Sequence, residues 1–306
     1  MGIRRTSGAV VKNSVIKGNS ASENGGGIGA VYPGWNNIMP IFKDCVIRHN
    51  TATRWGGAIF IYNRGEIINC NITSNYNSNP GSSSGGGIYI GHDGSTGPLP
   101  IPVISNCVIS GNGNANTLYG GAMRIERPVR LYNCLISGNS SSGMGGGLYI
   151  TGEVTSEESI AYNCTIAGNT SSMGYAGIEG GGLAANPATS TSSFVNCILY
   201  ANVYAPNSVY NNFNQNNSNL RFTNSCAFPM PLYGGNNIAD DPRFAAPGSG
   251  NYRLGPGSPC INAGLKLDWM TNSLDLDGLR RIDYFFGLVD MGAYEFLPSG
   301  SMIKFR

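Results

Sequence analysis

Hydrophobic positions along this chain recur in short alternating runs, and the runs repeat. "KNSVIKGN" at 12, "KDCVIRHN" at 43, "INCNITSN" at 68, "SNCVISGN" at 105, "YNCLISGN" at 132, "YNCTIAGN" at 162 and "VNCILYAN" at 195 are copies of one phrase. Aligned, they give a first polar column of Asn13, Asp44, Asn69, Asn106, Asn133, Asn163 and Asn196. A small column follows of Ser14, Cys45, Cys70, Cys107, Cys134, Cys164 and Cys197, and then an aliphatic one of Ile16, Ile47, Ile72, Ile109, Ile136, Ile166 and Leu199. Each copy ends on asparagine: Asn19, Asn50, Asn75, Asn112, Asn139, Asn169 and Asn202. Alternation with a period of two is the signature of an extended strand with one face buried. A second apolar element follows each of the first six copies, led by glycines: "GGGI" at 25, "GGAI" at 56, "GGGI" at 85, "GGAM" at 120, and "GGGL" at 145 and 180.

Successive cysteines of the column stand 25 to 37 residues apart. Short strands that return once per period, each unable to bury its face alone, predict an all-β, single-stranded parallel β-helix. Its hand is expected to be right, as in nearly all parallel crossovers. Residues 1–226 would make seven to eight coils about 4.8 Å apart, and residues 227–306 a C-terminal cap over the open end, where unpaired strand edges invite aggregation. In such a stack asparagine amides bond from coil to coil, and asparagine tolerates left-handed corners. Cys45, Cys70, Cys107, Cys134, Cys164, Cys197 and Cys226 are read as free, buried thiols on one rung. Ser14 shares that rung, and stacked neighbours rarely reach disulfide geometry.

Composition narrows the partners. Charged residues make up 12% of the chain and the net charge is +2, which gives no reason to expect nucleic acid or an anionic membrane. No apolar run approaches the roughly 20 residues of a membrane span. Forty-five glycines beside 41% hydrophobic residues fit many short strands and tight turns rather than disorder. The start "MGIRRTSGAV" lacks an apolar signal core and matches the myristoylation pattern through Gly2 and Thr6, a match short enough to arise by chance. Because the first repeat begins by Lys12 with nothing ahead to cover it, the natural N-terminus is expected to have been trimmed. The chain is expected to be a monomer.

Chemistry is sought where outward side chains of successive coils line up. The strand after the glycines gives the row Gly29, Phe60, Tyr89, Arg124, Tyr149, Ala184, and two residues on the row Val31, Tyr62, Gly91, Glu126, Thr151, Asn186. Outward aromatics at coil spacing suit sugar rings, and arginine suits a uronate carboxylate. Arg124, Tyr149, His92 and Glu126 are therefore the catalytic candidates, and Phe60, Tyr62, Tyr89, Asp93 and Arg127 the substrate-binding ones. A metal-independent lyase would use arginine to neutralise charge and Tyr or His as base or acid. Insertions at 75–84, 91–100 and 171–179 would wall the groove. Against catalysis, residues 94–125 contain no Asp or Glu. Glu153, Glu157 and Glu158 read as a solvated turn, and His49 as a corner residue. Asp275, Asp277 and Gly278 match part of a calcium loop whose remaining ligands are missing. That segment reads as a cap held by Asp–Arg pairs to Arg280 or Arg281, with calcium as the alternative and no other cofactor. Two functions stay open: a polysaccharide lyase or glycoside hydrolase, and a non-catalytic surface adhesin or structural solenoid.

The alternation of GG-A/G-I with I-x-x-N over residues 10–202 resembles the repeat of the chlamydial polymorphic membrane proteins, surface adhesins and autotransporters. "DPRF" (241–244), "NYRLGPGSPCINAG" (251–264), "DLDGLRRI" (275–282) and "VDMGAYE" (289–295) together resemble the C-terminal region of choice-of-anchor Q proteins of the pectin-lyase-like superfamily. The resemblance implies an exported bacterial protein, secreted or held at the cell surface, with a completed helix end, and it assigns no reaction.

Overall fold

In a computed structural model the described residues are 2–4, 9–31, 39–81, 83–92, 100–151, 158–180, 191–284 and 286–298. Their strands form a right-handed parallel β-helix built on three long sheets. The first sheet holds Gly2–Arg4, Ile28–Val31, Ile59–Tyr62, Ile88–Gly91, Met123–Ile125, Leu148–Ile150 and Ile178–Gly180. The second has nine strands, from Val10–Lys12 through Arg130–Tyr132 to Gly234–Gly235, and the third has eight, from Val15–Lys17 to Cys226–Ala227. Each of these strands pairs in parallel with its counterpart one coil away. The inner columns are as regular as the sequence: Ile28, Ile59, Ile88, Met123, Leu148 and Ile178 on one side, Ile47, Ile72, Ile109, Ile136, Ile166 and Leu199 on another, all buried.

Three corner positions carry distinct backbone duties. The first polar column, Asn13 through Asn196, lies in the left-handed region at φ of 48° to 55°. The residue before each closing asparagine is left-handed too: Gly18, His49, Ser74, Gly111, Gly138, Gly168 and Ala201. The closing asparagines keep ordinary backbone and form the ladder. Asn50, Asn75, Asn112, Asn139 and Asn169 each donate Nδ2 to the next Oδ1 at 2.8–3.0 Å, and the run ends on Asn212.

Two registers differ from the sequence reading. The sixth glycine-led strand is not "GGGL" at 180: Ile178 pairs with Leu148 and Glu179 with Tyr149. The distance from the closing asparagine decides this, since Ile28, Ile59, Leu148 and Ile178 each lie nine residues past theirs. Leu183, Ala184 and Asn186 lie outside the described residues. Cys226 also leaves the cysteine rung, because it pairs with Ile198, and Ser225 takes its place. There Ser225 Oγ donates to Phe194 O and Thr223 O at 3.1 and 3.0 Å, as Cys70 Sγ does to Phe42 O and Ile68 O at 3.5 and 3.3 Å. The rung selects a small side chain that donates to two carbonyls, and a thiol and a hydroxyl both meet that need. All eight cysteines are free and buried.

Beyond the last coil, Gly234 and Gly235 extend the second sheet and Ile238 bridges Cys226. The chain then runs back along the flank of the stack. Leu265 exchanges two hydrogen bonds with the Asn196 side chain, Asn163 Nδ2 donates to Asp290 O, and Asn106 and Asn133 both donate to Leu274 O. The left-handed asparagines of the middle coils thus serve as the docking line for the tail. Gly292 closes the contact: a Cβ there would lie 2.7 Å from both Ile198 Cδ1 and Thr165 Oγ1.

Candidate functional site

The outer face of the first sheet stacks Phe60, Tyr89, Arg124 and Tyr149 in register, one per coil. The chain turns sharply at each glycine pair, so the residue just before the pair folds over this row. Trp55 lies there, stacked on Tyr89 at 5.1 Å and on Phe60 at 6.1 Å, while Tyr62 meets Phe60 edge-on at 4.7 Å. Tyr119, in the same position two coils on, stacks on Tyr149 at 4.7 Å. Arg124 fills the gap between the two aromatic groups, with its guanidinium carbon 5.5–5.6 Å from the rings of Tyr89, Tyr119 and Tyr149. Trp55, Ser84 and Tyr119 join the row without having been among the sequence candidates, and the signal for them is their place immediately before a glycine pair.

The row is consequently not a bare platform. Phe60 is 0% exposed and Tyr89 3%, so neither ring offers a face to a ligand, contrary to the expectation for outward aromatics. Tyr62, Trp55, Tyr119 and Tyr149 form the half-buried rim. Arg124 donates to Ser84 Oγ at 2.9 Å and pairs with Glu126 at 2.8 Å, both side chains being 22% exposed. Its Nε is buried and finds no partner among the described residues. Burial and the Glu126 carboxylate raise the Tyr89 phenol above its ordinary pKa, which makes it a poor base at neutral pH. The arginine charge is already met by a carboxylate. The group thus holds aromatic faces, a cation and an anion in fixed positions.

His92 sits half-buried just past the end of the Tyr89 strand. Asp93 lies outside the described residues, as do Glu153 and Glu157. Arg127 turns away from the row, is buried, and donates to Asn63 Oδ1 at 3.1 Å at the corner. In the tail, one carboxylate oxygen of Asp275 accepts the Asp277 and Leu279 amides and the other accepts the Glu295 amide, at 2.7–2.9 Å. Asp277 pairs with Arg253, and Arg281 with Glu295, in place of the expected partnership with Arg280 or Arg281. Among the described residues no group of three or more His, Cys, Asp or Glu is arranged to hold a metal, and no helix is long and apolar enough to cross a membrane.

What the fold defines is a parallel β-helix carrying an aromatic and ionic ladder on one flank and its own tail on another. No family model matches the chain, and no curated protein does. Among solved structures the chain is similar to a pectate lyase, Pel9A, at a TM-score of 0.38 and 14% identity, over 96% of this chain and 85% of that one.

Proposed function

We propose that the protein is a secreted or cell-surface β-helix that binds polysaccharide along the first sheet without cleaving it. One observation carries the reading: the half-exposed Tyr119–Tyr149 stack adjoins the Arg124–Glu126 pair, which puts an aromatic face beside both a donor and an acceptor. Sugar rings stack their C–H faces on aromatics and direct hydroxyls to charged side chains, and a site of fixed polar groups around an aromatic floor meets both needs. The resemblance of the tail motifs to surface β-helix proteins agrees with that location. An adhesive role uses the same contacts.

The test is a panel of neutral and uronate polysaccharides, read by binding, by unsaturated-product absorbance and by reducing ends. Binding without product is the expected outcome, with Tyr149→Ser and Arg124→Ala each weakening it about tenfold, the size of one lost charge-assisted or stacking contact. Product formation would replace this reading with the lyase or hydrolase one. Equal binding by parent and both variants would remove the face from the function altogether.

A further inference from the structure

The eight buried thiols divide into two groups by what they touch. Six of them, from Cys45 to Cys197, lie on the rung inside the stack, and each donates to a backbone carbonyl. Neighbours along the rung are stacked side by side and point the same way, which is poor geometry for a bridge. Cys226 and Cys260 belong neither to the rung nor to the interior. In the last strand of the third sheet Ala227 faces in, so Cys226 faces out. There it joins a separate buried cluster with Ile198, Leu254, Met291 and Cys260, on the seam between the outer face of that sheet and the tail.

Cys260 reaches the seam from the other side, 34 residues further along the chain. Its backbone is fixed there, since Cys260 O accepts the Met291 amide at 3.0 Å and Cys260 N donates to Ser258 Oγ at 3.2 Å. Cys226 Sγ donates to Asp240 O at 3.3 Å. Among the described residues Cys260 is the one thiol that donates to no carbonyl, and the Cys226 thiol stands within hydrogen-bond reach of it. Two thiols are thus brought together from facing segments, in a seam that buries both completely.

We infer that Cys226 and Cys260 form a disulfide that fastens the tail to the last coil. Two S–H bonds break and one S–S bond forms. The two protons and two electrons pass to an external disulfide, such as oxidised glutathione, which becomes two thiols. The Cys226 thiol and burial together hold the Cys260 thiol above its ordinary pKa, which leaves little thiolate once the tail has docked. Exchange therefore belongs to the folding chain, and the finished bridge is shielded from reductants. The inference takes from the surface location proposed above only the presence of an oxidant.

Refolding the full chain from urea, once in a glutathione redox buffer and once in excess dithiothreitol, supplies or withholds that oxidant directly. Alkylation under denaturing conditions and non-reducing peptide mass mapping then read the thiols. The expected result is one linked pair of peptides, carrying Cys226 and Cys260 and lighter by two hydrogens, with the six rung cysteines alkylated. Because the bridge closes a loop in the unfolded chain, the oxidised form should melt about 5 °C above the reduced one. Cys260→Ala should remove that gain. Alkylation of all eight cysteines after oxidative refolding would overturn the bridge and leave the surface location standing, because the buffer and not the cell supplies the oxidant. Linkage among rung cysteines in its place would overturn it too.

Discussion

Asparagine does two unrelated jobs in this molecule, and only position tells them apart. At the start of each repeat phrase it supplies a left-handed backbone residue with a side chain free to reach outward. At the end it supplies an amide that bonds along the stack. Between the two lies a third position, also left-handed, where glycine is the usual occupant but His49, Ser74 and Ala201 stand as well, at φ of 55°. A Cβ in that region costs about 1–2 kcal/mol, offset in part by the greater chain entropy of glycine. His49→Gly and Ala201→Gly should therefore raise stability by about 0.5–1 kcal/mol each, seen as a later urea midpoint. An earlier midpoint would mean that those corners are not strained.

At the scale of the element, the ladder behaves as one cooperative unit. Asn139 Oδ1 accepts the Asn112 amide N–H and Nδ2, while its own Nδ2 reaches Ile109 O, Ser137 O and Asn169 Oδ1, all at 2.9–3.1 Å. Asn139→Ala strands buried donors and acceptors on both neighbours, at a cost of about 3–5 kcal/mol. Asn19, the first of the series, is exposed and serves only one neighbour, so Asn19→Ala should cost about 1 kcal/mol or less. Urea unfolding of the two variants distinguishes this ladder from a row of independent bonds, for which the two losses would be alike. The same stacking governs the first sheet, where Arg124 sits among three rings because each coil lies directly over the last.

For the whole molecule, the joint between tail and stack is the sensitive part. Arg281 is fully buried, donates to Asn133 Oδ1 at 2.8 Å and pairs with Glu295 at 2.6 Å, with Asp290 and Asp275 close by. Burial outweighs the arginine and pushes the Glu295 carboxyl up to about 8. A folded value above the unfolded one means that the carboxyl's contribution is complete below the unfolded pKa, near 4.5, and is lost as pH rises through about 8. Asp290, also raised by burial, adds in the same direction. Stability should fall between pH 5 and pH 9, measured by denaturant titration at each pH. Glu295→Gln should flatten that slope. A profile rising with pH would show that the Arg281 charge dominates instead.

The periodic part of this protein was legible in its sequence because local rules and tertiary ones coincide there. A strand of two-residue period, a left-handed corner and a coil-to-coil amide each demand a residue type at a fixed offset, so the columns from Ile28 to Leu148 and from Asn19 to Asn202 could be read directly. Where the repeat weakens, the offset from the closing asparagine fixes Ile178 and not the more conspicuous glycines, and the step after the left-handed Asn224 fixes Ser225 and not Cys226. Contact between residues far apart in the chain decided the rest. Arg281 enters between Asn133 and Glu295, Leu265 meets Asn196, and the tail turns back along the flank. None of these contacts has a sequence period, because each depends on how one folded surface meets another and not on the step from coil to coil.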